Sequence, residues 1–186
     1  MSTHKPGPAT VSPAQRIAYP ALGAALVTVA TIFIQIPMPA GQGYANLGDG
    51  VIFILAALFG PLVGAAAGGI GSALADVLTG YAVWAPFTLI IKGLEGWIAA
   101  RLVHETFRAR GLTPPVLLGF VAAALWMMAG YFLAGALLAG SWEAAVVGLP
   151  FNALQGGVSL AAASALLGTL RAALRGTAHS KRPTAG

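Results

Sequence analysis

The chain has 186 residues, 58% hydrophobic and 8% charged, with a formal net charge of +5 and no cysteine. Soluble domains carry roughly 25% charged residues, so this composition, with a mean hydropathy of +0.82, indicates a polytopic membrane protein. Without cysteine, neither a disulfide framework nor a thiolate metal site can form. The basic residues gather at the ends and in one loop rather than on a face interleaved with aromatics, which excludes nucleic acid as the expected partner and leaves the lipid bilayer.

Residues 1–15 are polar and Pro-rich and predict a flexible terminus; no small-residue cleavage site follows the next apolar run, so no signal peptide is read. Crossing the hydrocarbon takes roughly 20 helical residues. Candidate spans fall at 17–36, 61–79, 84–107, 115–139 and 145–171, with a shorter stretch at 48–60. Gly60-Pro61 is either a kink in one long helix or a turn between two. As a turn, it gives six helices, and Lys5, Arg16, Arg101, Arg108, Arg110, Arg171, Arg175, Lys181 and Arg182 all fall on one side. As a kink, it moves Arg101, Arg108 and Arg110 outside, against the positive-inside bias. The expected fold is therefore all-α: a six-transmembrane-helix bundle over 16–175 with both termini cytoplasmic and a flexible tail at 176–186.

In the first helix Ala21 and Ala25, and again Ala24 and Thr28, are spaced by four, so each pair shares a face on which a neighbour can approach closely. The loop Pro37 to Leu47 either connects or lids a pocket. Gly64, Gly68, Gly69 and Gly71 read as a close-contact seam rather than a phosphate loop, which would need a lysine and different spacing. Two outward-starting helices open alike, as Trp84-Ala85-Pro86-Phe87-Thr88 and Gly148-Leu149-Pro150-Phe151-Asn152, with proline suited to the first turn. His104-Glu105 lacks a second histidine four residues on and is no zinc motif.

The charges within apolar sequence are Asp49, Asp76, Lys92 and Glu95, and an ionisable group at membrane depth reads by default as a site. At 1.5 Å rise per residue, Asp76 lies about 6 Å, Lys92 about 9 Å, Tyr131 about 12 Å and Glu95 about 13 Å below the outer helix ends. Asn152 and Gln155 fall in the first turns after Pro150. This common layer predicts a pocket open to the outside. Its expected polar contacts are Asn46, Asp76, Lys92, Glu95, Asn152 and Gln155, with Trp84, Trp126 and Tyr131 as stacking surfaces beside Phe87 and Met127. The structural alternative is that Asp76, Lys92 and Glu95 pair among themselves, that Asp49 caps the second helix, and that Trp126 packs between helices.

The run NLGDGVIFILAALFGPLVGAAAGGIGSALADVLTGYAVWAPFTLIIKGLEG, from Asn46 to Gly96, resembles the S components of energy-coupling factor (ECF) vitamin transporters, in the branch that contains hydroxymethylpyrimidine, pyridoxine-type and riboflavin S components. The resemblance implies a protein without ATPase activity in a prokaryotic cell membrane that captures a vitamin or precursor of pyrimidine, pyridine or flavin type from outside. It implies docking on a membrane coupling protein with two ATPase subunits, and assigns Ala21 and Ala25 to the docking face. No catalytic residue, metal or cofactor is expected. The competing readings are a stand-alone secondary carrier and an intramembrane enzyme acting on a lipid or prenyl substrate. The latter would need a nucleophile–base pair or metal cluster at one depth, whereas His4, His104 and His179 lie away from the polar layer.

Overall fold

A computed structural model describes residues 12–180, apart from the side chains of residues 40 and 175–180. Helix α1 (Pro13–Phe33) starts on a capping box in which Ser12 and Gln15 exchange side-chain and backbone hydrogen bonds at 2.9 and 3.2 Å. A β-hairpin follows, β1 (Gln35–Pro37) pairing antiparallel with β2 (Tyr44–Asn46) around a 3₁₀ turn at Pro39–Gly41. Then come α2 (Gly48–Phe59), α3 (Pro61–Leu78), α4 (Ala85–Arg110), α5 (Pro114–Ala139), the short α6 (Trp142–Val146) and α7 (Leu149–Ser180). The hairpin and α6 were not expected from the sequence. Helix α1 begins inside the expected flexible segment 1–15 and α7 runs past 175; the remainder of both terminal segments lies outside the described residues.

Gly60 is a turn. Its φ of +83° is one that side-chain-bearing residues avoid; its N–H closes α2 on Ala56 O, its carbonyl accepts from Gly64 N, and Pro61 opens α3. Among the described residues four stretches are long and apolar enough to cross a membrane: α1, α3, α5 and the run Trp142–Leu174, which holds α6 and most of α7. Helix α2 is apolar but has 12 residues, about 18 Å of rise. The protein is an all-α membrane protein apart from the two-stranded hairpin.

The glycine seam of α3 sets the bundle's spacing. A Cβ on Gly64 would lie 2.7 Å from Gly96 O, one on Gly69 2.8 Å from Leu89 O, and one on Gly71 2.6 Å from Ala24 O. Helix α3 thus meets α4 on one side and α1 on the other backbone to backbone, as small residues allow in lipid. Thr28 reinforces the α1 contact by donating to Ala24 O and Gly71 O at 2.9 and 2.8 Å. The Ala24/Thr28 face is consequently buried, and the Ala21/Ala25 face is exposed. Toward the opposite end from the hairpin, α2, α4, α5 and α7 enclose an apolar core in which the rings of Phe53 and Phe120 stack at 4.9 Å. There Arg171 donates to Phe107 O and Ala109 O, closing the C-terminal carbonyls of α4.

Candidate functional site

The polar layer near the hairpin divides into two parts. The lower part is an ionic network around Lys92, whose side chain is 1% exposed. Lys92 Nζ ion-pairs with Asp49 from α2 and lies 3.0 Å from Glu95 Oε2, one turn further along α4. Both carboxylates are 0% exposed. The Glu95 contact is coulombic, since neither Glu95 oxygen makes a hydrogen bond of good geometry. Asp49 Oδ2 accepts from Gln155 Nε2 of α7 at 2.9 Å, and Gln155 Oε1 accepts from Asn46 N of β2 at 2.8 Å. The network therefore ties β2, α2, α4 and α7 together. Asp49 lies in the first turn of α2, as expected, where a carboxylate suits the helix N-terminus; the hydrogen bond to the Gly48 N–H, at 2.8 Å, comes instead from Asn46 Oδ1, and Asp49 faces Lys92.

Above this network, on the hairpin side, a cavity of about 20 Å³ opens between the hairpin and the ends of α1, α3, α4, α5 and α7. Of the expected contacts, Asn46, Asp76, Trp84, Tyr131 and Asn152 line it. Tyr44, at the end of the hairpin, donates to Asp76 Oδ1 at 2.6 Å. Burial pushes the Tyr44 phenol up from its ordinary value, and the Asp76 carboxylate beside it pushes the same way, so Tyr44 stays a proton donor. Asp76 Oδ2 and Thr31 Oγ1 are buried in this wall without a hydrogen bond. Trp84 and Tyr131 form an aromatic side with centroids 6.1 Å apart, and Tyr131 OH donates to Thr88 Oγ1 at 3.1 Å. Lys92 Nζ lies 5.4 Å from the centre of the Tyr131 ring, which thus touches both parts.

Four expected contact residues are elsewhere. Lys92, Glu95 and Gln155 belong to the network and do not line the cavity. Trp126 is 38% exposed and turns to the periphery, its Nε1 donating to Ile91 O at 3.1 Å. Met127 is buried in the adjacent apolar cluster. Sequence reasoning missed Thr31, Gln42, Tyr44, Ser72 and Thr88. Thr88 had a signal: it occupies the same place in the opening of α4 as Asn152 does in α7, and both reach the cavity.

Residues 12–172 match the family described as ECF-type riboflavin transporter, S component. The chain belongs to this family. Among curated proteins, this S component is 33% identical over 136 residues to the thiamine precursor transporter HmpT of Lactococcus lactis subsp. cremoris, a match covering 73% of this chain and 75% of that one. It is 51% identical over 107 residues to a Pyrococcus woesei protein described as an uncharacterized protein in the gap 3' region, with 56% and 68% covered. A UPF0397 protein of Streptococcus pneumoniae is 38% identical over 77 residues, 41% of each chain. As an S component, the protein is the membrane-embedded substrate-binding subunit of an ECF transporter for vitamin or precursor uptake.

Proposed function

We propose that the cavity between the hairpin and α3, α4, α5 and α7 binds a single-ring, nitrogen-bearing vitamin precursor of the pyrimidine or pyridine type. The observation that carries this is Asp76 Oδ2, a buried carboxylate oxygen without a hydrogen bond of good geometry, in a wall that sets the rings of Trp84, Tyr131 and Tyr44 beside amides and hydroxyls such as Asn152 and Thr88. A buried acceptor without a partner is costly, and a planar ring bearing an amino group or a protonated nitrogen supplies the donor while its faces meet the aromatics. The thiamine-precursor relative makes an aminopyrimidine with a hydroxymethyl group the first candidate. A flavin is the second reading, favoured by the family's description, but a three-ring system asks a cavity of about 20 Å³ to widen much further.

In this reading six helices, α1 to α5 and α7, cross or enter the membrane, both termini are cytoplasmic, and 16–175 forms one transmembrane domain. Energy comes from a coupling membrane protein and two ATPase subunits, with the exposed Ala21/Ala25 face of α1 as the docking surface. The protein performs no covalent chemistry of its own. The test is mass spectrometry of ligand carried through purification, followed by calorimetry with the hydroxymethyl aminopyrimidine, pyridoxine and riboflavin. Tight binding of a single-ring compound is expected; binding of riboflavin alone overturns the substrate class, and uptake into liposomes lacking any ATPase overturns the coupling.

A further inference from the structure

At the end of the bundle away from the hairpin, a cleft of about 640 Å³ lies between the first turns of α1, the α2–α3 turn and the last turns of α4. Its two halves differ in chemistry. Arg16 of α1 and Arg108 of α4 contribute the cationic side, beside the His104 ring, while Phe59 and Leu62 form an apolar wall against Tyr19. The rings of Tyr19 and Phe59 lie 5.4 Å apart, holding that wall open as an aromatic edge. Of the other arginines, Arg171 closes the end of α4 and Arg101 lies over Trp97 at 5.5 Å. Among the described residues neither the Arg16 nor the Arg108 side chain has an ion pair or hydrogen bond. The neighbouring carboxylate, Glu105, is exposed and 3.8 Å from His104 Nε2. His104 is held in place by Nδ1 against Ala57 O at 2.9 Å. Residues 1–11 contain Lys5 and no Asp or Glu, so the chain leading into α1 offers no counter-charge.

We infer that this cleft binds the phosphate of an anionic membrane lipid, with Arg16 and Arg108 on the phosphate and the acyl chain along Phe59 and Leu62. Two unpaired guanidiniums call for an anion, and guanidinium suits phosphate geometry. The apolar wall beside them calls for a ligand that is also a hydrocarbon, and basic pockets between membrane helices take anionic headgroups. An acidic segment of the coupling protein is the competing occupant.

Native mass spectrometry of the full chain in detergent, titrated separately with phosphatidylglycerol and phosphatidylcholine, tests this. Phosphatidylglycerol is expected to be retained preferentially. The doubly substituted Arg16→Gln/Arg108→Gln protein should lose that preference by roughly fivefold per charge and about thirtyfold for the pair, whereas Arg110→Gln, outside the cleft, keeps it. All three positions are exposed, so recovery of monodisperse protein checks that the fold is intact. Equal retention of both lipids, or an undiminished preference in the double variant, overturns the site. Displacement of phosphatidylglycerol by millimolar inorganic phosphate overturns the lipid as ligand and leaves a free-phosphate site. A double variant that keeps the lipid preference but no longer co-purifies with the coupling protein overturns the proposal in favour of a protein contact.

Discussion

Asp76 and Lys92 carry opposite charges on neighbouring helices, yet their partners separate their tasks. Asp76 spends one oxygen on Tyr44 and presents the other to the cavity, while Lys92 is enclosed by Asp49 and Glu95. Asp76→Asn is expected to leave the folded protein recoverable and to weaken ligand binding by about 1.5–3 kcal/mol, the contribution of a hydrogen bond to a charged group; calorimetry reads it directly. Lys92→Met should behave differently. It strands two buried carboxylates, a loss of about 3–5 kcal/mol, so recovery and thermal stability fall with or without ligand. Near-normal recovery of Lys92→Met with lost binding would instead place Lys92 at the ligand. The candidate charges were legible because an ionisable group in apolar sequence has to be accounted for. The i,i+3 pairing of Lys92 with Glu95 was legible as well; the pairing with Asp49 was not, since Asp49 lies 43 residues from Lys92 and 106 from Gln155. The hydroxyls were harder still. Thr31 and Thr88 sit within helices, where a hydroxyl normally returns its hydrogen bond to the preceding turn and leaves no trace in the pattern.

Helix contacts and the hairpin differ in how much room they leave for change. Along α3 the backbone meets α4 at Gly64 and Gly96 with no space for a side chain, so Gly64→Leu should push the helices apart and sharply reduce the yield of folded protein on size-exclusion chromatography. This seam was legible, because glycines four apart have little other reason to recur in a lipid-facing span. The hairpin was not: Gln35–Pro37 and Tyr44–Asn46 are three residues each, too short for alternation to register, and the Pro and Gly between them read as a loop. Gln42, between its strands, lines the cavity and packs its side chain against Gly135 of α5. A cavity of about 20 Å³ holds about one water molecule, so a ring-sized ligand enters only when the hairpin residues withdraw. A Cβ at Gly135 would overlap Gln42 Oε1, so Gly135→Ala displaces the Gln42 amide from α5. The expected result is faster ligand release in stopped-flow measurements with little change in folded yield; an unaltered release rate would show that Gln42 does not control exit.

Across the whole molecule, charge and polarity segregate to opposite ends: the network and cavity lie under the hairpin, and the described arginines lie at the other end. A chain free of cysteine makes the resulting orientation easy to test. Ser141→Cys, between α5 and α6, should react with an impermeant maleimide in intact cells, and Leu112→Cys, between α4 and α5, only after permeabilisation; the reverse pattern would invert the bundle. The break between α2 and α3 was legible because the distribution of Lys and Arg favours a turn over a kink at Gly60-Pro61. The short α6 was not, having five residues, too few for a helical period to register. The four tryptophans are distributed as unevenly as the charges: Trp84 is 5% exposed at the cavity, whereas Trp97, Trp126 and Trp142 look outward to the surroundings of the bundle. One indole therefore senses the site while three sense the bilayer. Ligand binding should change only the Trp84 share of the emission, and a Trp84→Phe protein should be optically silent to ligand, which gives the protein a built-in fluorescent readout without any attached dye.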